Sequence, residues 1–198
     1  MEKEKAVAID TIPKMFWHGV QTRGPKTIFR QKNLGIWQAV TWTELGRIAR
    51  EIGMGLVSLG YQQGEVVSIL SNTNKEWMCA DLGALGAAGV VNGIYPTDSA
   101  VQTEYLLSDS GSVFVFVEDE EQLDKVLEVR ARLPGLRKIV VFDMEGLHDL
   151  NDPQVLSLDS LRARTSSSLS SCSSSSTKAY TEPESVSRYS TCEAASVG

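Results

Sequence analysis

EVVSILSNTNKEWMCADLGALGAAGVVNGIYPTDSAVQTEYLLSDSGSVFVFV, residues 65–117, holds three short runs that decide the fold. Glu65–Leu70, Val90–Ile94 and Val113–Val117 are β-branched or aromatic and nearly free of charge. The first and third fit buried strands, as in a parallel sheet, and Val90–Ile94 is the strand between them. Between the first two, Asn72 or Thr73 can cap a helix carrying Trp77, Ala80, Asp81, Ala84, Leu85 and Ala88. Between the second and third, Thr97 or Asp98 can cap a helix running to Leu107. Gly83, Gly86, Ala87 and Gly89 leave the first helix smooth, which predicts a close approach to its neighbour. Strand, helix, strand, helix, strand predicts an α/β fold: a mostly parallel sheet with flanking helices and right-handed crossovers.

The pattern continues on both sides. Toward the carboxyl end, residues 119–133 are amphipathic through Leu123, Val126, Leu127 and Leu133 and stop at Pro134-Gly135. KIVVFD (138–143) is the last strand the pattern predicts. Toward the amino end, Leu45, Ile48, Ala49, Ile52, Leu56 and Leu59 make one helical face, with Thr43 as the expected cap and Gly60 as the stop. TIFRQK (27–32) and GIWQAVTW (35–42) predict a hairpin turning at Asn33-Leu34-Gly35. Ile12–Val20 predicts a helix capped by Thr11, with Pro13 in its first turn.

Composition narrows the function classes. The chain has 198 residues, 42% hydrophobic and 22% charged, with a formal net charge of -6. That balance argues against a nucleic-acid partner, which needs clustered Lys and Arg. No apolar run reaches the ~18 residues of a membrane span, and MEKEKAVAIDTIP at the start lacks a signal-peptide core. Cys79, Cys172 and Cys192 have no CxxC spacing, which predicts a reduced, cytoplasmic setting.

Three segments in order carry a family resemblance. VTWTELG (40–46) resembles an L-[ST]-Y-x-E-L motif, with Val40 and Trp42 in place of leucine and tyrosine. Residues 72–100 resemble an Asn-x-x-Glu-Trp stretch followed by a small-residue helix and a strand ending in Pro-x-x. Residues 105–126 are similar to the next Tyr-x-Leu-x-Asp-Ser segment and its strand. Together they resemble the front of the AMP-forming, adenylate-forming superfamily, and Tyr95-Pro96-Thr97 with Trp77 leans toward its long-chain fatty acyl-CoA synthetases. The resemblance covers roughly residues 10–163, about a quarter of a full synthetase.

The resemblance implies a partial N-terminal subdomain and a two-step parent reaction. ATP and a fatty acid would give acyl-adenylate and pyrophosphate, and CoA would then displace AMP, with Mg²⁺ and cations holding the phosphates. Peripheral membrane association is an option for such a parent. The family's Ser/Thr/Gly phosphate loop and its C-terminal domain with a catalytic lysine have no counterpart here, so this chain alone is expected to be inactive and to bind no cofactor. Tyr95, Pro96 and Thr97 are the substrate-proximal candidates, because open α/β sheets place ligands beyond the carboxyl ends of their strands. No catalytic or metal residue stands out.

Competing readings are weaker. Gly83-x-x-Gly86-x-x-Gly89 is not a strand-to-helix G-x-G-x-x-G, which weakens a Rossmann-like nucleotide module. His18 and His148 have no ligand spacing, Cys79 fits a buried thiol, and Asp143 fits a loop. No carboxylate pair, nucleophile–base pair or basic patch emerges. Residues 1–163 therefore form the expected domain and 164–198 a disordered Ser/Thr-rich tail, whose SSSSTK (173–178) lacks the glycines of a phosphate cradle. The abrupt change near Arg162-Ala163-Arg164 suggests a frameshift or gene-model error, which translation of the DNA in the other two frames would decide. A non-catalytic interaction module is the alternative function, and an apolar face left bare predicts self-association.

Overall fold

The computed structural model describes residues 9–164. The expected tail disorder and its SSSSTK tract lie outside the described residues. Helix α1 (Ile12–Arg23) leads into a hairpin of β1 (Thr27–Asn33) and β2 (Ile36–Thr41), and α2 (Trp42–Ser58) follows without a break. Then come β3 (Val66–Leu70), α3 (Lys75–Gly86), β4 (Val90–Ile94), α4 (Ala100–Asp109), β5 (Ser112–Val117) and α5 (Glu120–Val129), which ends in a 3-10 turn. β6 (Lys138–Val141), β7 (Val155–Ser157) and α6 (Leu158–Ala163) complete the described chain.

Strands β3 to β7 form one sheet in the order β4-β3-β5-β6-β7, every pair parallel. Central β5 divides the interior. Phe114 and Phe116 join Val67, Ile69 and Val140 beneath α2, α3 and α6. Val115 and Val117 join Ile139 and Val141 beneath α4 and α5. Strands β3, β5 and β6 are covered on both faces, so apart from Ser68, Ser112 and Lys138 they are apolar rather than alternating, while outer β4 leaves Val90 and Gly93 exposed.

Several boundaries differ from the sequence reading. The cap of α2 is Thr41, whose hydroxyl accepts the Glu44 N–H at 3.2 Å, not Thr43. Trp42 consequently sits in the helix rather than in β2. The cap of α3 is Asn74, which accepts from Trp77 N–H at 2.8 Å, not Asn72 or Thr73. The cap of α4 is Ser99, in a reciprocal capping box with Gln102, not Thr97 or Asp98. In each case several oxygen-bearing residues precede the helix; Glu118 holds Asn74, and Gln102 completes the box at Ser99. Strand β7 and helix α6 were not anticipated, and Ala88 lies beyond α3, with φ at +61°.

The smooth surface of α3 does what its composition predicts. A methyl group at Gly83 would stand 2.8 Å from the Ile52 side chain and 3.0 Å from the Ala49 carbonyl oxygen, so α2 and α3 meet nearly backbone to backbone. Gly83 lies inside α3 and not at a strand-to-helix turn, so it cannot serve a dinucleotide fingerprint. Cys79 on the same helix is 1% exposed, and burial pushes its thiol up to about 12. A thiol so rarely ionised is a core side chain, not a nucleophile.

Candidate functional site

Loops leaving β3, β4, β5 and β6 at their carboxyl ends line the edge where an open α/β sheet holds ligands. Tyr95, Pro96 and Thr97 follow β4 there. Asp98 N–H donates to the Tyr95 carbonyl at 3.0 Å, closing a turn with Pro96 at its second position. Tyr95 is 76% exposed, Thr97 is exposed and Pro96 is half-buried. The turn is tied to α5 by Lys125, whose Nζ donates to the Pro96 carbonyl at 2.6 Å and to Gln122 Oε1 at 3.0 Å. The three predicted residues thus stand together at the expected edge, held through their backbone, with the Tyr95 and Thr97 side chains open to solvent.

A second constellation lies across β3 and β5 and escaped the sequence reading. Glu118, just past β5, sends its carboxylate into the β3–α3 loop. Oε2 accepts from Asn72 N–H at 2.7 Å, Asn72 Nδ2 at 2.9 Å and the Ser71 hydroxyl at 3.3 Å, while Oε1 accepts from Asn74 Nδ2 at 3.4 Å. Asn74 also caps α3. Glu118 therefore holds the residue that starts the helix. Nothing local marks it, because these partners are 44–47 positions away in sequence.

That arrangement also limits the chemistry. A loop leading into a helix N-terminus is where phosphate is ordinarily received, through free N–H donors and the helix dipole. Here the Trp77 N–H goes to Asn74, the loop's Asn72 N–H goes to Glu118, and Glu118 brings a negative charge of its own. The start of α3 therefore does not fit a triphosphate. The amino ends of α2, α4 and α5 are likewise capped by Thr41, Ser99 and Asp119 side chains. Among the described residues no group of His, Cys, Asp and Glu is arranged to hold a metal ion.

Removing the hub has a measurable cost. Glu118→Ala removes the acceptor shared by Asn72, Ser71 and Asn74, of which Ser71 and Asn74 keep a second partner, and should lower unfolding free energy by about 1 kcal/mol. Glu118→Gln, which keeps one oxygen, should lose less. Urea titration of both variants checks the order; equal stability of Glu118→Ala and the parent would show that water satisfies the loop equally well.

Comparison with known proteins adds the family context. A family model described as AMP-binding enzyme matches residues 16–180. The long-chain-fatty-acid–CoA ligase ACSBG1 of Bos taurus is 28% identical over 132 residues, 67% of this chain and 18% of that protein. The long-chain-fatty-acid–CoA ligase FadD15 of Mycobacterium bovis is 32% identical over 131 residues, 66% of this chain and 22% of that protein. The chain thus spans about a fifth of the length of these curated relatives. Among solved structures, the anthranilate CoA ligase AuaEII in complex with anthranoyl-AMP superposes with a TM-score of 0.66 at 23% identity, covering 77% of this chain and 27% of that one. The acetoacetyl-CoA synthetase of Streptomyces lividans gives 0.67 at 21%, covering 76% and 24%. These structural likenesses are evidence of fold.

Proposed function

The chain belongs to the AMP-binding enzyme family, and from that premise we propose that it is the front portion of an AMP-forming long-chain fatty acyl-CoA ligase. In the parent reaction a fatty-acid carboxylate oxygen attacks the α-phosphorus of ATP and pyrophosphate leaves. The CoA thiolate then attacks the acyl carbon and AMP leaves. Mg²⁺ bound with the nucleotide would supply charge neutralisation along the phosphates. The long-chain assignment is supported by the ligase relatives and by Tyr95-Pro96-Thr97 after β4.

The observation that supports inactivity of the described residues by themselves is the state of their helix starts. Before α3, Glu118 fills the loop with its own negative charge and Asn74 takes the Trp77 N–H, and three other helix starts are capped by their own side chains. We assign the described residues a scaffolding role, with Tyr95, Pro96 and Thr97 nearest the acyl substrate. The purified chain should give no fatty-acid-dependent ATP–pyrophosphate exchange above a boiled control. Robust exchange from the chain alone would overturn the reading.

A cytoplasmic setting with peripheral membrane contact fits this assignment. Self-association fits as well. Strand β4 is an outer strand of the sheet, and Val90, Tyr95, Val101 and Tyr105 along β4 and α4 are at least half exposed. Open sheet edges beside apolar surface favour pairing with another chain. A concentration-independent monomer in sedimentation velocity would remove this part.

A further inference from the structure

We propose that the β1–β2 hairpin is a lipid-binding wedge that docks the protein on anionic membranes. The proposal extends the peripheral-membrane part of the functional reading by naming a surface. Vesicle binding is measured without acyl transfer, so its failure would leave the ligase assignment standing.

The sequence around the hairpin is unlike the rest of the chain. Residues 11–43 contain no Asp or Glu but hold Lys14, Arg23, Lys26, Arg30 and Lys32, within a chain whose net charge is -6. Spread over those positions the cations form no contiguous basic motif. Two of them, Arg30 and Lys32, stand two apart on β1 and so share a face. Arg30 pairs with Ala39 and Lys32 with Trp37, so these four residues share one face of the hairpin, and all four are exposed. The other face carries Phe29 and Val40, and Val40 is 4% exposed against the core. Arg30 and Lys32 make no ion pair among the described residues.

The tip is apolar. Leu34 is 97% exposed, Ile36 69% and Trp37 65%. Leu34 and Gly35 form a two-residue turn with φ at +46° and +83°. Asn or Asp is the ordinary first residue of such a turn, so an exposed leucine gains neither backbone ease nor solvation. Aliphatic side chains at a tip, an indole just behind them and cations behind the indole match the layers of a bilayer surface. Lys32 lies two residues from Leu34, about 7 Å along the strand. Burying the tip to the roughly 5–10 Å typical of interfacial insertion brings Lys32 level with the headgroups and leaves Arg30 just above them. Charge complementarity selects an anionic lipid surface: the cations and the apolar tip act on one occupant.

The test is flotation of the full chain with phosphatidylcholine vesicles, with and without phosphatidylserine, since aggregated protein does not float. The chain should float with phosphatidylserine vesicles and much less with phosphatidylcholine alone, and added salt should weaken the binding. Arg30→Gln with Lys32→Gln should reduce partitioning about thirtyfold, each cation near an anionic surface contributing roughly fivefold. The unmodified chain supplies a second measurement: lipid brominated in its acyl chains should quench tryptophan emission, and Trp37→Phe should remove the quenched component. The proposal falls if both vesicle types bind equally, if the double variant binds like the parent, if brominated lipid leaves the emission unchanged, or if duplex DNA binds while vesicles do not.

Discussion

Gly55→Ala should lower unfolding free energy by about 3 kcal/mol, near the upper end for overpacking, although alanine is the better helix former by about 1 kcal/mol. Gly55 is in α2 at its crossing with α6. A methyl group there would lie 2.4 Å from the Leu161 carbonyl oxygen and 2.9 Å from its Cγ. The first of these is backbone, so no rotamer change relieves the contact. Helix α6 would have to lift, exposing Leu161, which is fully buried, and stretching the Arg162–Glu51 ion pair at 2.8 Å. A fall of roughly 10 °C in the thermal midpoint follows for a domain of this size. Gly135→Ala, where nothing lies within 4 Å, is the control and should be close to neutral. A Gly55→Ala chain melting with the parent would show that α6 is not seated on α2.

Helix α6 and strand β7 are also what the sequence concealed. VLS and LDSLRA are too short to show a period, and their assignment depends on β6 and α2 being present to receive them. By contrast VVSIL, polar only at Ser68, and VFVFV are legible, because nearly continuous apolar runs are what strands covered on both faces select, and VVNGI reads as a strand from its β-branched residues. Caps were legible as a class of residue but not as a position. Thr41 and Thr43 are both competent, and the end of β2 decides between them. At the candidate site, Tyr95, Pro96 and Thr97 could be placed because a strand's carboxyl end is a local prediction. Glu118 could not, since its role depends on β3 and β5 lying side by side, which single-residue chemistry does not reveal. The hairpin face is half legible: Arg30 and Lys32, two apart, share a face of β1, but Trp37 comes beside Lys32 only through pairing register.

Phe116→Ala should be the most damaging single truncation in the sheet, at about 3–5 kcal/mol, a large part of the total stability of an ordinary domain. The ring is fully buried in the central strand and lies 5.7 Å from that of Phe142, in the layer beneath α2, α3 and α6. Phe116→Leu, which refills most of the space, should cost far less. The pleat gives the loss a direction. Residues two apart in a strand share a face, and Glu118, two residues on, reaches the loop that starts α3. Phe116 supports the apolar side of that layer, and Glu118 fixes where its helix begins. Phe116→Ala should therefore speed amide exchange in α3 ahead of α5, whose core is built on Val115 and Val117. Hydrogen exchange by mass spectrometry distinguishes the outcomes. Uniform acceleration in both helices would mean that the two layers open as one unit and that β5 does not separate them energetically.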